Sequence, residues 1–199
     1  MNPFANPLKN AAALCRGEKQ LLTAWIEGSH RGFIPFSIAL ITLGCCSYGF
    51  TIGLRHGSEM AFYVALKLPF IIFLTLFLNG MLNGMLSLAL DSGIGFRKSL
   101  QFLLTGFAIM SIILGALSPI SFFATLNMPE PGALGDATWH GANLLLHTSM
   151  IAYAGILAHS RLLHYVRDFA DSPRAGTHTF LAWLIGNLFV GAQISWILR

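Results

Sequence analysis

Apolar residues in this chain come in long blocks separated by short polar stretches, and the blocks are long enough to predict membrane-crossing helices, which need about 20 residues each. The first block, residues 33–54, holds no charged side chain, and its Pro35 sits near the start, where a helix tolerates proline. The second, residues 61–90, is longer than a perpendicular crossing requires and contains Lys67 and Pro69. It reads as a tilted or kinked span whose first turns lie near the interface, letting Lys67 reach out of the apolar layer. Residues 100–126, with Gly115 and Pro119, form the third block, residues 139–159 the fourth and least apolar, and residues 178–198 the fifth. Between them lie the turn Arg55-His56-Gly57-Ser58-Glu59 and the polar stretches 91–98, 127–138 and 161–176, of which 127–138, with Pro129 and Pro131, is the clearest loop. The expected fold is all-α, a polytopic bundle of five transmembrane helices in one domain over residues 33–199.

Residues 1–32 follow another pattern, with Leu8, Leu14, Leu21, Leu22, Trp25 and Ile26 set among charges. They read as an amphipathic segment on the cytoplasmic surface, Trp25 at headgroup level, with docking onto a partner as the sharper alternative. No continuous apolar stretch of signal-peptide type occurs there, so no cleaved leader is expected. No soluble domain is expected either.

Composition agrees with the blocks, since 55% hydrophobic against 10% charged residues is too apolar for an ordinary soluble domain. The net charge of +4 does not point to nucleic acid, because the basic residues are scattered through the connecting segments. They do set an orientation. With the N-terminus inside, that side carries Lys9, Arg16, Lys19, Arg31, Arg97, Lys98, Arg161, Arg167 and Arg174, and the other keeps Arg55, Lys67 and Arg199. By the positive-inside rule this predicts N-in/C-out. Cys15, Cys45 and Cys46 give neither a disulfide framework nor a metal spacing.

Chemistry-bearing residues inside the blocks are few. Asn79-Gly80-Met81-Leu82 is repeated at once as Asn83-Gly84-Met85-Leu86. Residues four apart share a helix face, so Gly80 and Gly84 form a notch flanked by two amides. The notch suits helix packing within the chain, contact with a second copy, or a pore lining. In the fourth block His140, Asn143 and His147 fall on one stripe, His147 deepest, and an ionisable residue at depth is a functional candidate. A haem b site would want an opposing histidine at matching depth, and the first three blocks hold none; His159 and His178 are the other pair to weigh. Lys67 has no acid at its depth, and no block contains Asp or Glu, which argues against ion-coupled transport. Nothing resembles a phosphate loop, an activated nucleophile or a zinc motif, so neither enzyme activity nor a cofactor is expected.

The five-span layout after a short cytoplasmic N-terminus, the Lys67-Leu68-Pro69 start of the second block, the polar break at 91–99 and Ser118-Pro119 in the third resemble the Yip-domain family of small polytopic membrane proteins. The ending Gly191-Ala192-Gln193-Ile194-Ser195-Trp196-Ile197-Leu198-Arg199 resembles that of a group of bacterial membrane proteins. The longer cytoplasmic region of Yip proteins, with its Asp-Leu-Tyr-Gly-Pro type of motif, is missing, so binding of small GTPases is not implied.

The leading functional expectation is a non-enzymatic subunit of a bacterial cytoplasmic membrane that associates with itself or scaffolds another membrane protein. Its partners are the lipid bilayer and a membrane protein, not nucleic acid. An oligomeric channel with Asn79, Asn83 and His147 facing water, and Lys67 and Asn143 as further polar positions, is the alternative. A haem-binding electron-transfer subunit comes third.

Overall fold

The computed structural model describes residues 6–18, 20, 21, 23, 32–129, 133 and 135–197. Trp25, Lys19, Arg31, Pro131 and Arg199, on which parts of the reading above rest, lie outside the described residues. Every regular element among the described residues is helical: α1 Pro7–Arg16, α2 Phe33–Gly53 with a 3-10 turn at Leu54–His56, α3 Ser58–Ala89, α4 Phe96–Leu126, α5 Asp136–Phe169 and α6 Pro173–Ile197. Four of them are long and apolar enough to cross a membrane: α2 with its 3-10 turn, α3, α4 and α5. Large apolar side chains such as Leu43, Phe70, Leu145 and Ile156 face outward. Water does not tolerate such a surface and lipid does, so the fold is that of a multi-pass integral membrane protein.

The centre of the bundle is α4, which packs against α1, α2, α3 and α5. It runs parallel to α2, and the pair is stitched by Cys45 Sγ to Ser111 Oγ at 3.2 Å and Thr51 Oγ1 to Ser121 Oγ at 2.7 Å. Small residues let the backbones meet: a Cβ on Gly44 would overlap the Ser111 carbonyl. α3 returns antiparallel to α2, and a Cβ on Gly49 would stand 2.8 Å from the Val64 carbonyl oxygen. α6 lies on α3 and α5. Phe36, Ile41, Phe102, Ile109, Val166 and Trp183 fill the main core.

The two ends of the bundle differ in charge. Gly17, which closes α1 in a left-handed conformation, sits against Arg161 and Tyr165 of α5. Gly93 after α3 lies against Asp171 after α5, and Arg167 donates to Thr177 Oγ1 at 2.9 Å. These contacts gather Arg16, Arg97, Lys98, Arg161, Arg167 and Arg174 at one end. At the other, Arg55 donates to Met128 Sδ at 3.0 Å.

Two boundaries differ from the sequence expectation. The polar stretch after residue 159 is not a connection: α5 continues to Phe169, because Ala154, Ala158, Leu162, Tyr165 and Val166 carry its buried stripe onward at helical spacing. The chain turns over residues 170–172, the Ser172 hydroxyl accepting from the Ala175 N–H at 3.1 Å with Pro173 in the first turn of α6. The second difference is α1, whose apolar face is spent on the bundle itself. Ala11, Ala13 and Leu14 are buried, and Leu14 joins Phe33, Phe36 and Ile41 in the main core.

Candidate functional site

Besides the polar pairs that stitch α2 to α4, two groups of buried polar side chains among the described residues contain most of the residues singled out by sequence. The first occupies the seam between α3, α4 and α6. Gly80 and Gly84 face α4, where a Cβ on Gly80 would stand 2.9 Å from Leu100 Cδ1 and one on Gly84 would fall within the Phe96 ring. The notch is therefore filled from within the chain. Leu82 and Leu86 face α6, where a Cβ on Gly186 would stand 2.7 Å from Leu82 Cδ2.

Successive residues of a helix turn by about 100°, which sets Asn79 and Asn83 between the α4-facing and α6-facing directions. Their side chains point into the three-helix seam and both are 0% exposed. Neither amide has a hydrogen-bond partner at its oxygen or its nitrogen, and the Thr179 hydroxyl and Asn187 Oδ1 of α6 share that state. The main chain is better served. Trp183 donates its indole N–H to the Asn83 carbonyl at 3.0 Å, and Ser87 donates to the same carbonyl at 2.8 Å. Ser87 also meets Ser99 of α4 at 3.0 Å, tying α3 to α4 one turn further on.

The second group joins α2 to α5 across one face of α4. Asn143, His147 and Met150 begin the buried stripe of α5, while Leu144, Leu145 and Ile151 beside them face outward. Tyr48, fully buried on α2, brings its Oη to 2.9 Å from His147 Nδ1, with the His147 carbonyl at 3.5 Å and Met150 Sδ at 3.8 Å. The two rings meet edge to face at 5.6 Å between centroids. Leu114 of α4 packs beneath Tyr48, Met150 and Ala154. His147 Nε2 and Asn143 Oδ1 have no hydrogen-bond partner, and both residues are 6% exposed.

The remaining candidates stay apart from these groups. Lys67 is half-buried and holds its Nζ 5.4 Å above the ring of Tyr63, one turn toward the start of α3. That direction is the one expected of a lysine seeking the interface. α3 itself runs unbroken through Pro69. His140 is exposed, His159 bonds its own helix at the Gly155 carbonyl at 2.8 Å, and His178 is exposed on α6. Among the described residues no three His, Cys, Asp or Glu side chains form a metal-binding group.

Tyr48, Trp183 and Thr179 were not singled out by sequence. A tyrosine in an apolar block carries no positional signal, and its pairing with a histidine 99 residues away depends on how α2 and α5 sit on α4. The close contacts at Gly44, Gly49 and Gly53 were likewise missed, although Gly49 and Gly53 repeat the same four-residue spacing of small residues.

Compared with known proteins, the chain matches no family model, no curated protein and no solved structure.

Proposed function

We propose that this chain is a non-enzymatic subunit of a bacterial cytoplasmic membrane that crosses it five times, N-in/C-out, and works by lateral association with a second copy or another membrane protein. The orientation rests on the two ends of the bundle, one bearing six gathered basic side chains and the other Arg55. The fifth crossing is α6. It is 25 residues long and packs antiparallel along α3, with Trp183 and Gly186 against Leu82, Asn83 and Leu86 in the last turns of that helix.

The observation that carries the associative reading is the free face of α3. In its most apolar stretch only 22% of residues are buried within the chain, against 56% in α4. Phe62, Leu66, Phe70, Phe77, Met81 and Met85 line that face at spacings of four and seven over the helix. The stripe lies opposite Asn79 and Asn83 and about a quarter-turn round from Gly80 and Gly84, so the association surface moves from the notch to another side of the same helix. Methionines at its end adapt to varied partners.

The test is cross-linking in native membranes through a single cysteine. Met81→Cys in a chain carrying Cys15→Ser, Cys45→Ser and Cys46→Ala is expected to give a cross-linked dimer or one defined heavier product. Ile156→Cys on the outward face of α5 serves as the control. Monomer alone from Met81→Cys, or identical products from both positions, would overturn the proposal.

A further inference from the structure

We infer that the junction of α1 and α5, on the surface at the basic end of the bundle, is a binding site for a phosphate group, held by the Arg161 guanidinium and the Tyr165 hydroxyl. No residue of α3 takes part, so the fate of this site and that of the associative reading are independent.

Gly17 builds the junction. It ends α1 in a left-handed conformation, φ 78°, and its missing side chain leaves room for two groups from α5. A Cβ there would stand 2.9 Å from Tyr165 Oη, 3.2 Å from Arg161 Cδ and 3.6 Å from Arg161 Nε. Arg161 and Tyr165 are one turn apart on α5 and so share a face of that helix. A guanidinium and a phenol oxygen therefore flank a single point beside the last turn of α1. The Tyr165 ring belongs to the main core with Leu14, Leu162 and Val166, and the residue is 4% exposed. Its hydroxyl lies at the rim of that core, against a half-buried glycine and an exposed arginine.

The chain leaves both groups unused. Among the described residues Arg161 forms no ion pair or hydrogen bond, and the Tyr165 hydroxyl has no hydrogen-bond partner. The acids of this region do not take the arginine: Glu18 meets Arg16 at 3.3 Å, and Asp168 lies two turns further along α5. A buried tyrosine ordinarily finds a partner for its hydroxyl, and one set beside an unpaired guanidinium calls for an acceptor that carries negative charge. A phosphate answers both, two of its oxygens taking the guanidinium fork and a third the phenol proton. Arg161 repels a cation, and an uncharged guest leaves the guanidinium unanswered. Phosphate is also what this level of the membrane offers. On α1, Leu8 is 86% exposed and suits lipid, while the exposed Lys9 and Arg16 suit water, which places the helix among the headgroups. Basic sites between helices at that level bind anionic headgroups. The phosphate has two sources, the headgroup of an anionic lipid or free phosphate from the water.

Native mass spectrometry of the full chain in an uncharged detergent tests this, with phosphatidylglycerol, phosphatidylcholine and inorganic phosphate titrated separately. The wild type is expected to bind one phosphatidylglycerol more tightly than phosphatidylcholine. Arg161→Gln should weaken that binding about five-fold, the worth of one cation at an anionic interface. Tyr165→Phe keeps the ring in the core and should weaken it too, and it carries the test alone should Arg161→Gln not fold. Arg174→Gln removes the same charge from the start of α6, at the same end of the bundle, and is expected to leave the tight site intact. A preference for phosphatidylglycerol that inorganic phosphate does not compete away identifies the headgroup as the source. Inorganic phosphate bound by the wild type and lost in Arg161→Gln, without a preference between the lipids, identifies free phosphate. Neither lipid preference nor phosphate binding, equal losses in Arg161→Gln and Arg174→Gln, or full binding by Tyr165→Phe would overturn the inference.

Discussion

Trp183 of α6 donates its indole N–H to the main-chain carbonyl of Asn83, 3.0 Å away in the body of α3. The bond anchors α6 to α3 beside two amides whose side chains have no partner of their own. Trp183→Phe keeps most of the packing against Phe102 and removes the bond. The Asn83 carbonyl retains the Ser87 hydroxyl, so the expected loss is about 1 kcal/mol, read as a lower midpoint of unfolding in detergent. An unchanged midpoint would show that the bond contributes nothing.

Asn83→Leu should behave in the opposite sense. Its amide is buried without a donor or acceptor opposite it, and leucine has nearly the same shape without the unpaired atoms. Stability in detergent is expected to stay level or rise. A marked fall would mean that something outside the chain satisfies the amide.

Gly44 and Gly84 separate a backbone contact from a side-chain one. A Cβ on Gly44 meets the Ser111 carbonyl, which cannot move without parting α2 from α4. A Cβ on Gly84 meets the ring of Phe96, which is 49% exposed at the start of α4 and can swing away. Gly44→Ala is therefore expected to cost about 3 kcal/mol and Gly84→Ala about 1 kcal/mol. Equal losses in thermal melts of the two variants would contradict the packing described for α2.

Cys15 gives a pH-dependent readout at the charged end. Burial at the α1 dock pushes its thiol above the usual value of 9.0, and the nearby Arg161 guanidinium partly offsets that. A raised value means less thiolate at neutral pH, so maleimide labelling of a chain with Cys15 as its only thiol is expected to be slower than that of a free thiol, the rate climbing as pH rises past 9.0. Arg161→Gln removes the offsetting charge and should slow labelling further. Faster labelling in that variant would contradict the placement of α1.

The helices themselves were largely legible, because uninterrupted apolar blocks of bilayer length leave a chain few alternatives. What the blocks could not show was where polar residues stay helical. Arg161, His164 and Arg167 look like a loop, yet they occupy outer or partly exposed positions of α5 while Leu162, Tyr165 and Val166 keep its stripe buried. The amphipathic α1 could equally lie on lipid or on protein, since both offer an apolar surface to Leu14. The Asn-Gly repeat was legible as a notch, but which helix fills it depends on Phe96 and Leu100 arriving from α4. His147 stood out as an ionisable residue at depth, whereas its partner Tyr48 did not.

The five-span, N-in/C-out subunit is tested most directly by fusing a reporter to the C-terminus, after α6. Alkaline phosphatase is active only outside the cytoplasmic membrane and green fluorescent protein folds to a fluorescent state only inside it. The account predicts phosphatase activity without fluorescence for fusions after Arg199, and fluorescence without phosphatase activity for fusions truncated after Asp171. Fluorescence from the Arg199 fusion would leave α6 on the inner side and contradict the fifth crossing.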